Sequence, residues 1–320
     1  MAGSGIISPV PAAAAKTYLH MKITHIKTAS FFIGCSLMMG CSKMADPLGT
    51  EQYAKSVYLV GANQSNNEGM QIMNIAYKAS ADETADSYIS VATGGSQLID
   101  KDLAVQVGQA GNAAVAQYNA MHRYKSTDIK YQLLNGVSYK IPDSLVNIKA
   151  GGIYGNMPIQ IKTAGLHCDS AYALTFRIAS VSDPSYAPIR TKDTVLLFSF
   201  KLFNQYSGSY QATGRYYKYG VASADTISLA LVRTLTAVNF NTVRFYHLAT
   251  TEEMKNLTAS GVTIRVNSDK SLTFSSWGSL VIKSSGGSYD AINQRFYFWY
   301  NYMADGVENR FEGNFAKSSL

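Results

Sequence analysis

Short runs of alternating apolar and polar residues, separated by Gly, Asn, Asp, Pro and Ser clusters, make up the chain from Tyr53 onward. Successive side chains of a β-strand point to opposite faces, so a period of two places one face of each run in a core. The 22 Tyr and 13 Phe residues suit such half-buried strands, and only 15% of the residues are charged. The sequence therefore predicts an all-β protein.

The strands fall into two series, and the first predicts a β-sandwich. Regular strand spacing with turn signals between the strands is typical of that architecture, and one run of helix formers interrupts it. The strands are predicted at 58–60, 71–77, 87–92, 103–107, 139–141, 146–149, 159–161, 172–178 and 195–203, and the helix at 113–122.

A domain boundary is expected near residues 204–208, and a second all-β series follows it. Eight short strands suit an up-and-down barrel or a strongly curved meander. They are predicted at 210–219, 226–235, 242–247, 262–266, 271–274, 278–282, 295–302 and 310–315. We accordingly assign residues 53–204 to the sandwich and 205–320 to the second β domain.

Residues 21–41 have the pattern of a bacterial lipoprotein export signal. Lys22 and Lys27 supply the positive n-region, residues 31–39 the apolar core, and Gly40 the small residue before the cut. Cys41 follows directly, where a lipoprotein carries its lipid. The sequence predicts a signal peptide at 21–40 and lipidation at Cys41.

The signal departs from the usual pattern at one position and has one alternative interpretation. Met38 stands third before the cysteine, where Leu is usual, and the apolar run is shorter than the roughly 20 residues that a membrane-spanning helix needs. A buried apolar helix is the alternative. Residues 41–52 are expected to form a tether, and residues 1–20 are treated as an upstream start or a cloning remnant.

Charge and cysteine content exclude several classes of protein. Loss of residues 1–40 removes three lysines and no acid, which lowers the formal charge from +7 to +4. The remaining Lys and Arg are scattered, so no nucleic acid partner is expected. Cys168 is then the one remaining cysteine, so no disulfide framework is expected. It lies between His167 and Asp169, but neighbours in an extended chain point apart and form no catalytic relay.

The other polar motifs predict neither a metal site, nor a cofactor, nor catalysis. The histidines lack the short spacing of a zinc site. The acidic pairs 82–83 and 252–253 fall in turn or helix-start contexts, where solvated helix-dipole partners are the better interpretation. The double glycines at 94–95, 151–152 and 286–287 are interpreted as strand connections. We therefore expect no enzyme activity.

A family resemblance rests on several short motifs. The segment 145–151, Leu-Val-Asn-Ile-Lys-Ala-Gly, with 158–161 and 172–178, resembles the N-terminal domain of unknown function 1735, found in surface lipoproteins of Bacteroidetes. The join at 204–210 and the aromatic ending at 296–302 resemble the domain that follows it there. Together these motifs cover nearly all of residues 50–317.

The resemblance implies an immunoglobulin-like β-sandwich followed by a lipocalin-like β domain. Such lipoproteins are commonly encoded with outer-membrane glycan importers and endo-acting glycosidases, and several are thought to hold glycans at the cell surface. Importer components and a surface glycosidase are accordingly expected partners. Family members displayed at the outer face of the membrane often carry acidic residues soon after the lipidated cysteine, whereas residues 42–46 contain one acidic residue. Display at the cell exterior is expected, and a periplasmic face stays open.

The run 295–302 contains the strongest candidate binding residues. If Phe296, Phe298, Tyr300 and Tyr302 face the core, the opposite face presents Arg295, Tyr297, Trp299 and Asn301. Sugars bind such surfaces, because their C–H faces stack on aromatic rings while Arg and Asn bond their hydroxyls. The alternative is that both faces of the strand are buried.

Two further residues are weaker candidates for glycan binding. Trp277 is expected at a strand edge or turn, where aromatic rings are often exposed. Tyr216 belongs to the cluster 215–219, in which ordinary alternation places Tyr217 and Tyr219 on the opposite face. The predicted function is noncatalytic glycan binding; a structural or adhesive protein, an enzyme, and a barrel that encloses a small apolar ligand are the alternatives.

Overall fold

The computed structural model describes residues 49–62, 69–188, 195–222 and 225–318. The predicted signal at 21–40 and Cys41 lie outside the described residues. Residues from Glu51 onward form one compact unit that contains two β domains. The helices among the described residues are all too short or too polar to cross a membrane.

The first domain is a β-sandwich of two sheets. One has the strand order β1-β3-β8-β6, and the other has the order β2-β10-β9-β4-β7, with β5 added beside β9. Its elements are β1 (Ser56–Leu59), β2 (Met70–Ala76), β3 (Thr84–Gly94), β4 (Leu103–Gln109), α1 (Asn112–His122), β5 (Tyr131–Leu133), β6 (Tyr139–Lys140), β7 (Leu145–Ile148), β8 (Tyr154–Lys162), β9 (Ala171–Val181) and β10 (Val195–Phe203).

The period-two pattern explains the sandwich core. Met157, Ile159 and Ile161 of β8 are buried while their neighbours on the strand are not, and they pack in one cluster with Phe176 and Phe198 of the facing sheet. The helix α1 begins one residue before its predicted start. Its Asn119 side chain donates to the carbonyl of Tyr131 and accepts from the Tyr131 amide, at 2.8 and 2.9 Å. These two hydrogen bonds of Asn119 fix β5 beside α1. The alternation pattern did not predict this strand.

The second domain is an eight-stranded, nearly closed up-and-down barrel. Each strand pairs with its sequence neighbours, and β11 pairs with β18. An isolated bridge between Ser271 and Ser288 links β15 to β16 at the seam. Its elements are β11 (Gly208–Lys218), β12 (Ile227–Ala237), β13 (Thr242–Tyr246), α2 (Met254–Ser260), β14 (Gly261–Val266), β15 (Leu272–Ser276), β16 (Val281–Asp290), β17 (Arg295–Ala304) and β18 (Val307–Lys317).

Aromatic side chains fill the barrel interior. The even-numbered residues Phe296, Phe298, Tyr300 and Tyr302 of β17 are buried, as the alternation predicts. They pack with Phe311, Phe315 and other residues of one cluster. Because side chains occupy the interior, the alternative of an enclosed apolar ligand finds no support in this packing.

One sequence interpretation in the barrel is wrong, and another is incomplete. Gly286 and Gly287 do not connect strands: they lie inside β16, paired with Trp299 and Phe298 of β17. Glu252, interpreted as a solvated helix-dipole partner, is exposed and also makes contacts with β12. Its carboxylate accepts from the buried Arg233 at 3.3 Å and from the Thr234 amide at 2.9 Å, so it fastens the segment before α2 to β12.

The chain passes from sandwich to barrel between Phe203 and Gly208. Asn204, in this join, donates from Nδ2 to the carbonyls of Asn239 and Thr242 at 2.6 and 3.0 Å. Its Oδ1 accepts from the Tyr206 amide at 2.9 Å. A buried ion pair between Asp169 of the β8–β9 turn and Arg244 of β13 also joins the two domains.

Candidate functional site

Two rows of side chains cross the outer face of the barrel. Strand register places Trp299 beside Gly286 on one side and Glu312 on the other, and continues to Arg215 and Ser228. The second row runs in parallel through Ser288, Tyr297, Asn314 and Thr213. Neighbouring strands lie about 4.8 Å apart, so Trp299 and Arg215, two strands from each other, are separated by roughly 10 Å.

These rows line an open groove of about 570 Å³, which we call the outer groove. A volume of this size is in the range of small-ligand sites. Its lining combines aromatic rings, one ion pair, an amide and two hydroxyls above a glycine-rich floor: Thr213, Gly214, Arg215, Ser228, Gly287, Tyr297, Phe298, Trp299, Glu312, Gly313 and Asn314.

Trp299 is held as a platform. The guanidinium carbon of Arg310 lies 4.0 Å from the centre of the indole ring, the distance of a stacked cation–π contact. The opposite neighbour is Gly286, where any side chain would be about 3.1 Å from ring atoms. Because Gly286 has no side chain, the indole ring has room over β16. Tyr297, in the next row, is 42% exposed and extends the aromatic surface.

Glu312 organises the charged side of the outer groove. Its Oε2 accepts from Nε of Arg215 at 2.8 Å, and Nη2 of Arg215 lies 2.7 Å from the same oxygen in an ion pair. Its Oε1 accepts from the Tyr217 hydroxyl at 2.9 Å and from Nε of Arg310 at 3.1 Å. One carboxylate thus positions two guanidinium groups, and through Arg310 it positions the Trp299 ring.

The protonation of Glu312 follows from these contacts. Burial alone would raise the pKa of its carboxyl, but the hydrogen bonds from Arg215 and Tyr217 and the charges of Arg215 and Arg310 outweigh burial and lower it. Burial, and then the hydrogen bond to Glu312, raise the pKa of the Tyr217 hydroxyl. At neutral pH the site therefore holds an ionised carboxylate, a neutral phenol and two guanidinium ions.

Glu312→Gln is expected to destabilise the barrel in a pH-dependent way. A folded-state pKa below the unfolded value stabilises above the ordinary glutamate pKa of about 4.3, and this contribution is lost as the pH falls through the lowered value. Urea unfolding from neutral pH to about pH 3 should therefore show the two proteins converging in acid. The exposed Glu83→Gln is the control, and a gap that stays constant with pH would contradict the assignment.

The predicted strand face is only partly available to a ligand. Arg295 and Tyr297 are exposed and Trp299 is partly exposed, as the alternation predicts. Asn301 is only 2% exposed, and its Nδ2 donates to Glu308 at 2.8 Å, because neighbouring strands cover this end of β17. Tyr216 packs against the barrel core, and Tyr217 faces the outer groove in its place. The burial of Asn301 opposes direct contact with a ligand, and the predicted role of Tyr216 stays a prediction.

Trp277 is not among the groove-lining residues and contacts the domain junction. The guanidinium carbon of Arg244 lies 5.4 Å from its ring centre, and the His167 ring packs edge-on at 5.8 Å. With Phe240 and residues of both domains it lines a separate cavity of about 520 Å³. Its predicted role in glycan binding stays a prediction, and its contacts here support packing between the domains.

The segment His167-Cys168-Asp169 forms a turn, so the extended-chain premise was wrong. One ligand atom from each residue lies within 4.8 Å of the others, the spacing of a metal site. Asp169, however, already accepts a hydrogen bond from the cationic guanidinium of Arg244, which opposes a metal ion. Burial, and then the charge of Asp169, raise the pKa of the Cys168 thiol, so the thiolate that a metal prefers is disfavoured.

Sequence reasoning missed the groove residue Glu312 and the two residues that bond to it from beside the groove, Tyr217 and Arg310. Each belongs to β11 or β18, whereas the candidate face was identified on β17 alone. Alternation on β18 puts Arg310, Glu312 and Asn314 on one face. That pattern signals an outward polar face, but only strand register places this face beside Trp299.

The fold and the outer groove define a two-domain, all-β protein with an aromatic and charged surface on its barrel. A family model described as an N-terminal domain matches residues 53–185, and one described as C-terminal matches residues 194–316. The chain belongs to the two-domain family that these models describe. The C-terminal match begins before β10, so it includes the last sandwich strand.

Solved structures from Bacteroides share the fold. A multidomain protein from Bacteroides ovatus that includes domain of unknown function 1735 is 19% identical, with a TM-score of 0.58, and the match covers 82% of this chain and 94% of that one. A second Bacteroides ovatus protein of unknown function is 13% identical, with a TM-score of 0.58 and the same coverage.

A third similar structure is an auxiliary nutrient binding protein from Bacteroides thetaiotaomicron. It is 15% identical, with a TM-score of 0.52, and the match covers 79% of this chain and 92% of that one. A comparison with curated protein sequences finds no match. At these identities the structural likenesses establish the fold, which confirms the predicted pair of β domains.

Proposed function

We propose that this protein is a noncatalytic glycan-binding lipoprotein of a glycan-utilisation system. The observation that carries the proposal is the outer groove, where the exposed Tyr297 ring and the partly exposed Trp299 ring lie beside hydrogen-bonding groups of Arg215 and Asn314. Sugar rings stack their C–H faces on aromatic rings while their hydroxyls bond to polar neighbours. The nutrient-binding role of one similar protein is consistent with this use.

The carboxylate content of the groove supports binding without hydrolysis. Glycosidases use two carboxyl groups that flank the scissile bond. Among the described residues that line the outer groove, Glu312 is the one carboxylate, and its bonds to Arg215, Tyr217 and Arg310 leave it no proton to give and little capacity to accept one. We therefore assign Glu312 a positioning role.

The proposed location follows from the sequence. The signal at 21–40 and the cysteine at 41 support a lipid anchor in the outer membrane, and the family resemblance supports display at the cell exterior near importer components and a surface glycosidase. Protease treatment of intact cells separates the two faces: digestion supports the exterior, and protection supports the periplasm.

The test is calorimetric titration of the chain from residue 46 onward, which retains the compact unit, with host N-glycans, mucin O-glycans and plant polysaccharides. For a ligand so identified, Trp299→Ala should weaken binding about 30-fold, the effect of losing a central aromatic anchor worth about 2 kcal/mol. Tyr124→Ala, which removes a 72% exposed ring from the sandwich, is the matched control. Unchanged glycan affinity of the Trp299→Ala variant would show that the glycan binds at another place on the protein.

A second candidate function, contact with another protein, is favoured by the outer face of the sandwich. Tyr58 and Tyr154 flank Ala92 in one row across three strands, and Tyr88 stands nearby on the same face. The three tyrosines are 38%, 58% and 49% exposed, respectively. An absence of binding across the whole glycan panel would favour this structural or adhesive role over the first proposal.

A further inference from the structure

We propose that the outer groove prefers acidic glycans, and that Arg215 binds the carboxylate or sulfate group of the sugar. This inference rests on the proposed glycan-binding function and specifies its ligand class. The ligand class follows from which hydrogen-bonding groups of the site bond within the protein and which remain for a ligand.

The Glu312 carboxylate is fully occupied. A carboxylate offers about four lone-pair positions. Four donor groups surround the Glu312 carboxylate: Nε of Arg215, the Tyr217 hydroxyl and Nε of Arg310 hydrogen-bond to it at 2.8 to 3.1 Å, and Nη2 of Arg215 lies 2.7 Å away in an ion pair. A sugar hydroxyl that must donate a hydrogen bond therefore finds no free acceptor on Glu312.

The Arg215 guanidinium, in contrast, has N–H donors that do not point to Glu312 and can bond a ligand. A guanidinium carries five N–H groups, and two of those on Arg215 point to Glu312, which leaves three. The side chain is 60% exposed and lines the outer groove. A ligand there meets hydrogen-bond donors, so acceptor groups fit it best.

The charges at the centre of the groove also favour an anion. Two guanidinium ions, those of Arg215 and Arg310, share the single negative charge of Glu312 and leave one positive charge over. The nearest other acid on β18, Glu308, lies beyond Arg310 and accepts from Asn301. Arg295 at the opposite end pairs in register with Asp290. The excess positive charge is therefore local to Trp299 and Arg215.

The geometry allows one ligand to use both features. Arg215 stands roughly 10 Å from Trp299, two strands away on the same row. A sugar ring packed against the exposed part of the Trp299 ring would place an adjoining acidic ring over Arg215. Guanidinium and carboxylate then form a charge-assisted pair, which is stronger than a neutral hydrogen bond.

The experiment compares matched glycans that differ in charge, again by calorimetry on the chain from residue 46 onward. The pairs are galacturonic acid oligomers and their methyl esters, glucuronoxylan and xylan oligomers, and sialyllactose and lactose. We expect the acidic member of at least one pair to bind about 10-fold more tightly, the worth of a charged hydrogen bond. Raising the salt concentration should reduce the difference.

Arg215→Gln should reduce that preference to about 2-fold or less, because the affinity for the acidic member falls more than the affinity for the neutral member. Arg265→Gln, which removes an exposed barrel arginine outside the groove, is the control, and urea unfolding verifies that both variants fold. Equal or weaker binding of the acidic member in every pair would overturn the inference and leave the glycan-binding function standing. Binding of no glycan, acidic or neutral, would overturn both.

Discussion

Asp169→Ala is expected to lower the free energy of unfolding by about 3–5 kcal/mol, because it leaves the Arg244 guanidinium buried without its counter-ion. The two side chains are only 10% and 5% exposed and form an ion pair between the domains. Burial alone would lower the pKa of Arg244, but the charge and hydrogen bond of Asp169 raise it, so the guanidinium stays charged. Rings of Trp277 and Tyr246 flank it at 5.4 and 5.9 Å.

The measurement is urea denaturation of the variant and of a double variant. Asp169→Leu with Arg244→Met removes both charges and should recover most of the loss, since replacing a buried ion pair by apolar side chains is often neutral or stabilising. The control is Glu253→Ala, which breaks the exposed pair with Lys255 and should cost no more than about 1 kcal/mol. If Asp169→Ala lowers the free energy of unfolding by no more than Glu253→Ala does, water reaches the Arg244 guanidinium.

Local alternation made the barrel strand β17 predictable. The side-chain direction at residues 295–302 depends only on a period of two, so the core face could be assigned from sequence alone. The same logic identified Trp299 and Tyr297 as outward residues. Asn301 shares that face, yet it is buried, because Glu308 on the neighbouring strand bonds it and covers it. The period of two predicts the direction of a side chain, whereas the exposure of that side chain depends on the residues of neighbouring strands.

Strand register was the information that the sequence lacked. Glu312 and Arg310 lie beside Trp299 because β17 and β18 pair with Trp299 opposite Glu312. A shift of one residue would turn every side chain of β18 to the other face. The directions of Tyr216 and Tyr217 on β11 depend on the same kind of information. Alternation separated the two residues, but only the packed barrel decides which of them faces inward.

Tertiary contacts also overrode two local signals. Gly286 and Gly287 resembled a turn, yet they occur mid-strand, since β16 must accommodate the Trp299 ring above one and Phe298 beside the other. Trp277 was expected at a turn and follows β15 directly. Its ring nevertheless packs on Arg244 and His167, because the turn lies at the domain junction.

Phe298→Ala should also lower the free energy of unfolding by about 3–5 kcal/mol, the usual cost of deleting a buried Phe ring. Phe298 faces the barrel interior and is 5% exposed. Its ring centre lies 4.9 Å from that of Phe315 and 5.0 Å from that of Phe274. The glycines paired with it, Gly287 and Gly313, leave no side chain to refill the space.

The adjacent outward residue provides the matched control. Tyr297→Ala removes a ring of similar size that is 42% exposed, so its stability cost should stay within about 0.5 kcal/mol, typical of surface substitutions. Glycan affinity should respond in the opposite sense, with a larger loss in Tyr297→Ala than in Phe298→Ala at a temperature where both are folded. Urea unfolding and calorimetry on the two proteins test this crossover. If Tyr297→Ala is the more destabilising of the two, the assignment of inner and outer faces to β17 is wrong, and with it the outer groove.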